Sequence, residues 1–268
     1  MNKENLIIIA GMPRSGTSYL YKALDDHPEI YMPIIKETNY FIYNNNKGID
    51  WFDSLYNNAS PSQKMFDISP FYFLDNEFFS HVKKFNKEQK VILLLRDPNE
   101  WIKSAYKQIK KQSYKVESFE EFLNGHSIKF EDKEYKIDFK TFDYIGVVER
   151  FRKEFKENLL LLDFDEFEKD KLKVLQKIEV FINVAPFFNQ TNISEEKVNA
   201  GDVNNNKLIA YLSTIGVLRD IAFKVSPNWL VHFIRNKYIL GEAVKKSDSL
   251  PNIYKEENIF KKYFQTAE

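Results

Sequence analysis

Apolar runs and helical stripes alternate along this chain, and the runs come first. Leu6–Ala10 is unbroken and rich in β-branched residues, Val91–Leu95 is five apolar residues between Lys90 and Arg96, and Leu159–Leu162 lies between Asn158 and Asp163. Lys64-Met-Phe-Asp-Ile-Ser69, closed by Pro70, reads as a further buried strand. Short continuous runs of this kind predict strands covered on both faces, the habit of a parallel sheet. Between them the period becomes helical. Leu20, Ala23 and Leu24 share a face after Thr17, and the helix should stop at His27-Pro28, since the residue before proline avoids the α region. His27, at that helix end, reads as a capping residue. Residues 29–33 are a short extended piece, 44–48 a polar turn, and 51–56 a short amphipathic helix. Helices are predicted over 75–87, from Pro98 through Trp101, Ser104 and Tyr106, over 144–156, from Asp165, and over 172–184. Strands alternating with helices predict an α/β fold with a central parallel sheet.

Two regions are less regular. Residues 107–143 are charged; 118–123 suggest a turn or two of helix, and 126–142 alternate charged and aromatic residues without a firm period. A long segment of that kind in a compact domain reads as a functional lid or mobile loop. After Pro186 the pattern weakens. Leu208–Phe223 is helical and apolar, but Arg219 and Asp220 interrupt it short of membrane-spanning length. Trp229, His232, Arg235 and Lys237 among aliphatics fit core packing or an interfacial helix.

Composition narrows the chemistry. The chain has 268 residues, 43% of them hydrophobic, with 24 Phe and 15 Tyr, enough for a large core. Lys plus Arg equals Asp plus Glu at 39 each, so no global field draws nucleic acid or an anionic membrane, and any anion site must be local. Without cysteine there are no disulfides or thiolate zinc sites, and the histidines share no metal-ligand spacing. Met1-Asn2-Lys3-Glu4 leads straight into the first strand, which predicts no signal peptide or membrane anchor and a cytoplasmic location.

The candidate chemistry sits where the first strand meets the first helix. Gly11 to Gly16 is a tight loop that brings unpaired amides and the positive end of a helix dipole to one point, an anion cradle. Its Gly-x-x-x-x-Gly spacing is that of a nucleotide P-loop, but Thr17 stands where a kinase or ATPase places its lysine, which argues for a phosphate-bearing ligand other than ATP. Arg96, at the carboxyl edge of a presumed parallel strand, stands where open α/β sheets bind ligands, and Ser104 lies two turns into the next helix. Lys36-Glu37, ahead of aromatics, reads on its own chemistry as a solvated ion pair. Lys197-Val-Asn-Ala-Gly201 is a basic loop ending in glycine.

Pro13-Arg14-Ser15-Gly16-Thr17-Ser18 resembles the 5′-phosphosulfate loop of the sulfotransferases, which use 3′-phosphoadenosine 5′-phosphosulfate (PAPS) as sulfuryl donor. Arg96-Asp97-Pro98, followed by Ser104 and Tyr106, is similar to the family's 3′-phosphate motif, and Lys36–Phe41 resembles the carbohydrate-type branch. The likeness covers most of residues 5–184. It implies a P-loop NTPase-like three-layer sandwich forming one domain over 1–268, with 5–184 as the core and a helical part, 185–268, completing the site. It further implies that Glu37 acts as general base on the acceptor, that Arg14 and the amides of 13–18 stabilise the leaving phosphate, and that Arg96 and Ser104 hold the 3′-phosphate. By the same likeness Lys197 and Gly201 close over that phosphate, PAP is the product, and no metal is required. Ser69-Pro70-x-Tyr72-Phe73 also matches, except that Ile68 stands where several glycan-type members carry a lysine; Lys36 is the candidate substitute. The acceptor could be a glycan, a lipid or a small alcohol. The rival readings are a P-loop small-molecule kinase, which needs the lysine missing beside Gly16, and a non-catalytic nucleotide- or glycan-binding protein.

Overall fold

The first apolar run becomes the middle strand of a parallel sheet. β1, Leu6–Gly11, is buried along its whole length because it has a strand on each side. β2, Ile30–Tyr31, and β3, Lys64–Ile68, extend the sheet one way; β4, Lys90–Leu95, and β7, Leu159–Asp163, extend it the other, giving the order β2-β3-β1-β4-β7 with every pairing parallel. The computed structural model describes residues 1–112, 118–130, 133–193, 250–254 and 259–264. Lys197, Gly201 and the segments 208–223 and 229–237 lie outside the described residues.

Helices flank the sheet as parallel connections require. α1, Thr17–Asp25, leaves the loop after β1; α2, Gly48–Ser54, precedes β3; α3, Glu77–Phe85, leads to β4. α4, Pro98–Gln112, starts at its proline, α5 is Phe119–Leu123, and α6, Tyr144–Phe155, runs into β7. α7, Phe164–Lys169, and α8, Lys171–Ile182, follow. The core is largely aromatic: Phe78 and Phe79 of α3 meet Phe151 of α6, with Phe79 and Phe151 4.8 Å apart at their centroids, and Trp101 meets Phe139 and Tyr144 edge-on. Each fully buried side chain of this size contributes about 1.5–3 kcal/mol through apolar burial.

Two expectations are corrected. Residues 126–137 are not a lid without regular structure: β5, His126–Phe130, pairs antiparallel with β6, Lys133–Ile137. The helix from Pro98 also continues past Lys107 to Gln112. His27 does more than end α1. Its Nδ1 accepts from the Glu29 amide, its Nε2 lies 3.2 Å from the Ala185 carbonyl, and its ring packs on Phe187 and Phe188. It ties the far end of α1, about 13 Å from the loop, to the chain beyond α8.

The C-terminal segment returns to the start of α4. Buried Asn99 accepts from the amides of Ile253 and Tyr254 at 2.8 and 2.9 Å and donates to the Tyr254 carbonyl at 3.1 Å. Tyr254 in turn donates to the Phe139 carbonyl.

Candidate functional site

From β1 the chain crosses to one side of the sheet, and β4 lies on the other. Their carboxyl ends therefore form a switch point, the place where open parallel sheets leave a crevice. The 11–16 loop rises from β1, and the Met12 amide donates to the Leu94 carbonyl at 2.7 Å, which fastens the loop to β4. Arg14 and Gly16 both take left-handed backbone, with φ of 64° and 81°. That alternation turns successive amides inward. At the start of α1 the first helical amides have no intrahelical acceptor. The amides of Gly16, Thr17 and Ser18 donate to no acceptor among the described residues. Only glycine suits position 16 twice over, because a Cβ there would also stand 2.5 Å from the Phe167 ring.

Two guanidinium groups meet beside this loop. Arg96, directly after β4, donates from Nη1 to the Arg14 carbonyl at 2.7 Å and lies over the Phe164 ring, 4.5 Å from its centroid. Burial lowers the pKa of both arginines; for Arg96 the charges of Glu168, Glu100 and Asp165 oppose the fall and that of Arg14 adds to it. A guanidinium nonetheless stays charged in a protein. Neither arginine lies within 4.0 Å of a carboxylate among the described residues. The Nε atoms of Arg14 and Arg96 and the Ser15 hydroxyl are buried without a hydrogen-bond partner. Pro13 completes the loop, and Ser104 is half-buried on the second turn of α4.

The short helix that the sequence predicts from Asp165 takes part here. α7 presents Phe167 to Gly16 and to Tyr19, at 5.4 Å between ring centroids, while Phe164 carries Arg96. Nothing in the sequence separates these two phenylalanines from ordinary core aromatics.

Glu37 and Lys36 lie in the segment between β2 and α2. Lys36 Nζ is 3.6 Å from Glu37 Oε1, and their side chains are 14% and 26% exposed, so the pair is more enclosed than a solvated ion pair. Desolvation raises the Glu37 carboxyl above its ordinary value, while the Lys36 charge and hydrogen bonds from Lys36 and Asn39 oppose the rise. Ile68 is buried in β3 and supplies no charge.

Asp67, the residue before it, was missed by the sequence reading. It is fully buried and accepts hydrogen bonds from Thr38 Oγ1 (2.8 Å), Ser69 Oγ (2.7 Å) and Tyr72 OH (2.6 Å). Its carboxyl is raised to about 6, chiefly by desolvation with the Glu37 charge adding, against the three hydroxyls, which pull it down. The available signal was an acid inside an apolar strand, two and five residues ahead of Ser69 and Tyr72. Among the described residues no helix is long and apolar enough to cross a membrane, and no cluster of three metal-ligating side chains occurs.

Comparison with known proteins agrees with the fold. Mouse heparan sulfate glucosamine 3-O-sulfotransferase 5 is 29% identical over 196 residues, 69% of this chain and 55% of its own length. Mouse bifunctional heparan sulfate N-deacetylase/N-sulfotransferase 4 is 25% identical over 203 residues, 68% of this chain and 22% of its own. The chain thus spans about half the length, or less, of these curated relatives. A sulfotransferase from Alicyclobacillus acidocaldarius shares the fold with a TM-score of 0.58 at 20% identity, covering 84% of this chain and 95% of that one. The sulfotransferase domain from the curacin biosynthetic pathway gives 0.51 at 14% identity, covering 88% and 98%. The family described as the sulfotransferase domain matches residues 4–210, most of the chain, and the chain belongs to that family.

Proposed function

We propose that this chain is an enzyme that transfers a sulfuryl group from PAPS to a hydroxyl or amine of a carbohydrate, releasing PAP. The observation that carries the reading is the pair of half-buried guanidinium groups, Arg14 and Arg96, with no carboxylate within 4.0 Å of either among the described residues. Two like charges held near each other and partly desolvated are unfavourable, so such a pair is built to receive an anion. The orphaned Ser15 hydroxyl and the free amides of 16–18 fit the same ligand, and all of these groups donate. PAPS supplies, when bound, an activated sulfuryl group on a phosphate leaving group and a second phosphate for recognition.

The roles follow from the chemistry of each group. Arg14, Ser15 and the amides of 16–18 hold the phosphosulfate and stabilise negative charge as it builds on the leaving phosphate. Arg96 and Ser104 hold the 3′-phosphate. Glu37 takes the acceptor proton, and desolvation of its carboxyl makes it a stronger base than an exposed glutamate. Lys36, beside it, is the nearest candidate for the cation that Ile68 does not provide. A glycan acceptor is favoured because the curated relatives are named for heparan sulfate. A kinase reading is disfavoured by Thr17, which leaves no lysine on the loop.

Thermal denaturation with PAP, compared with ATP plus magnesium, tests the reading. A ligand at about 100 times its dissociation constant adds about 2.7 kcal/mol of stability. PAP is expected to raise the melting temperature and ATP with magnesium to leave it near its starting value; the reverse result would establish the kinase reading. Labelled PAPS with heparan sulfate as acceptor then tests the acceptor class.

A further inference from the structure

We infer that Asp67 is a positioning residue for the reaction: through three hydroxyl groups it holds the backbone immediately after Glu37 and so fixes where that carboxylate stands. The inference rests on the reading of Glu37 as base, and it concerns a residue outside the loop and the phosphate-binding groups. Its substance is a pattern of hydrogen bonds. Ser69 Oγ accepts from the Asn39 amide at 3.0 Å, Thr38 Oγ1 from the Tyr40 amide at 3.2 Å, and Tyr72 OH from the Phe41 amide at 3.3 Å. Each of those hydroxyls also contacts Asp67 at 2.6–2.8 Å.

A backbone N–H can only donate, so each hydroxyl must accept on that side and turn its own proton elsewhere. Among the described residues the acceptor these three protons share is the Asp67 carboxylate. One buried charge therefore sets the direction of three hydroxyls, and through them it anchors three consecutive amides. The turn is closed from its other side by Asn44, whose side chain donates to the Thr38 carbonyl at 2.6 Å and whose amide donates to the Asn39 carbonyl at 3.2 Å. Asn39 itself is held in left-handed backbone at φ 48°, a conformation that needs such support.

An apolar or amide side chain at position 67 would fill the same space but could not accept all three protons. The carboxylate also acts at a distance, because its charge and that of Glu37 oppose each other. The titratable groups around the pair are Lys36 beside Glu37, Tyr72 bonded to Asp67, and Tyr56, whose hydroxyl donates to the Phe66 carbonyl and lies within the field of Asp67.

The test uses the full chain with PAP bound. Amide hydrogen exchange at pH 7.5 reads Asn39, Tyr40 and Phe41. In Asp67→Asn the three amides should lose protection together, by about tenfold or more. Amides of β1 and β4 should stay protected, and PAP affinity should change less than about twofold. In Ser69→Ala, which leaves Asp67 in place, the Asn39 amide should lose most protection. Unchanged protection of the three amides overturns the inference. Should Asp67→Asn fail to bind PAP and melt early, the Ser69→Ala pattern decides alone. With labelled PAPS and heparan sulfate, Asp67→Asn should lower kcat about tenfold with KM for PAPS nearly unchanged. Full turnover in Glu37→Gln would sink the base assignment instead, whatever the amides show. The exchange measurement needs no acceptor, so the two failures are distinguishable.

Discussion

Replacing Arg96 by alanine should separate binding from folding in a way that truncation of a buried side chain rarely does. The guanidinium makes one neutral acceptor contact, to the Arg14 carbonyl, and one ring contact, to Phe164. Losing them costs about 0.5–1.5 kcal/mol for the hydrogen bond and about 0.5–2 kcal/mol for the cation–ring contact. Against this, alanine removes a half-buried cation with no carboxylate within 4.0 Å among the described residues, which relieves its desolvation and its repulsion from Arg14. The ligand-free variant should therefore melt close to the wild type. Its affinity for PAP should fall, because a charge-assisted phosphate contact is worth about 1.5–3 kcal/mol, which is roughly tenfold to a hundredfold in dissociation constant. The two numbers meet in one melting series. At a PAP concentration about 100 times the wild-type dissociation constant the wild type gains about 2.7 kcal/mol, and a variant weakened thirtyfold gains about 0.9. At about 2–4 °C per kcal/mol, these are shifts of roughly 5–10 °C and 2–4 °C. Calorimetry gives the affinity directly. An unchanged dissociation constant, or a ligand-free variant that unfolds many degrees early, would refute the argument that this cation is kept for an anion.

Three further outcomes are expected. Glu37→Gln should lower kcat by about a hundredfold to ten-thousandfold with the PAP dissociation constant unchanged; in the wild type the acid limb of kcat/KM should lie above the ordinary glutamate value of 4.5, with activity rising as pH rises through it. Gly16→Ala should weaken PAP binding and lower the melting temperature, since left-handed backbone costs a non-glycine residue about 1–2 kcal/mol and the new Cβ meets Phe167; adding Phe167→Leu should restore part of the loss, and full affinity in the single variant would contradict the packing. For Asp67 the folded-state value of about 6 lies above the ordinary 3.8, so the native state holds its proton more tightly and stability from this group is lost as pH rises between those values. The spread is worth on the order of 3 kcal/mol, and the stability difference between wild type and Asp67→Asn, measured in urea at pH 4 and pH 7, should change by about that amount in favour of the variant.

How far the sequence discloses this site depends on which interactions are local. β1, β4 and β7 are legible because burial on both faces forces continuous apolar runs, and the loop is legible because its two glycines have a fixed spacing. Arg96 is found by its place at a strand end. The hairpin β5–β6 is not, because its strands hold no apolar run and a two-stranded ribbon takes its stability from pairing and tertiary context rather than from residue preference. Phe164 and Phe167 look like any core pair until the fold brings Gly16 and Arg96 against them. Asp67 is the hardest case. Its partners come from position 38 across the segment between β2 and α2, from 69, and from 72, and only the folded chain shows that their remaining lone pairs face three amides in a row.

The strand order itself bears on the proposed reaction. An in-line transfer needs the base and the groups that stabilise the leaving phosphate on opposite sides of the transferred atom. The order β3-β1-β4 puts the loop on the central strand, Arg96 on the strand to one side, and Asp67, which anchors the Glu37 turn, on the strand to the other. On the proposed reading the phosphate-binding amides follow β1, while the turn that carries Glu37 is anchored from β3. Asp67 is level with Ile8 and Val91, five residues before Arg96 along the sheet, so the two anchors are set apart both across β1 and along the strands. It also means that Glu37 can be tuned through β3 without disturbing the donor loop on β1, which is why kcat and donor affinity are expected to respond to different substitutions.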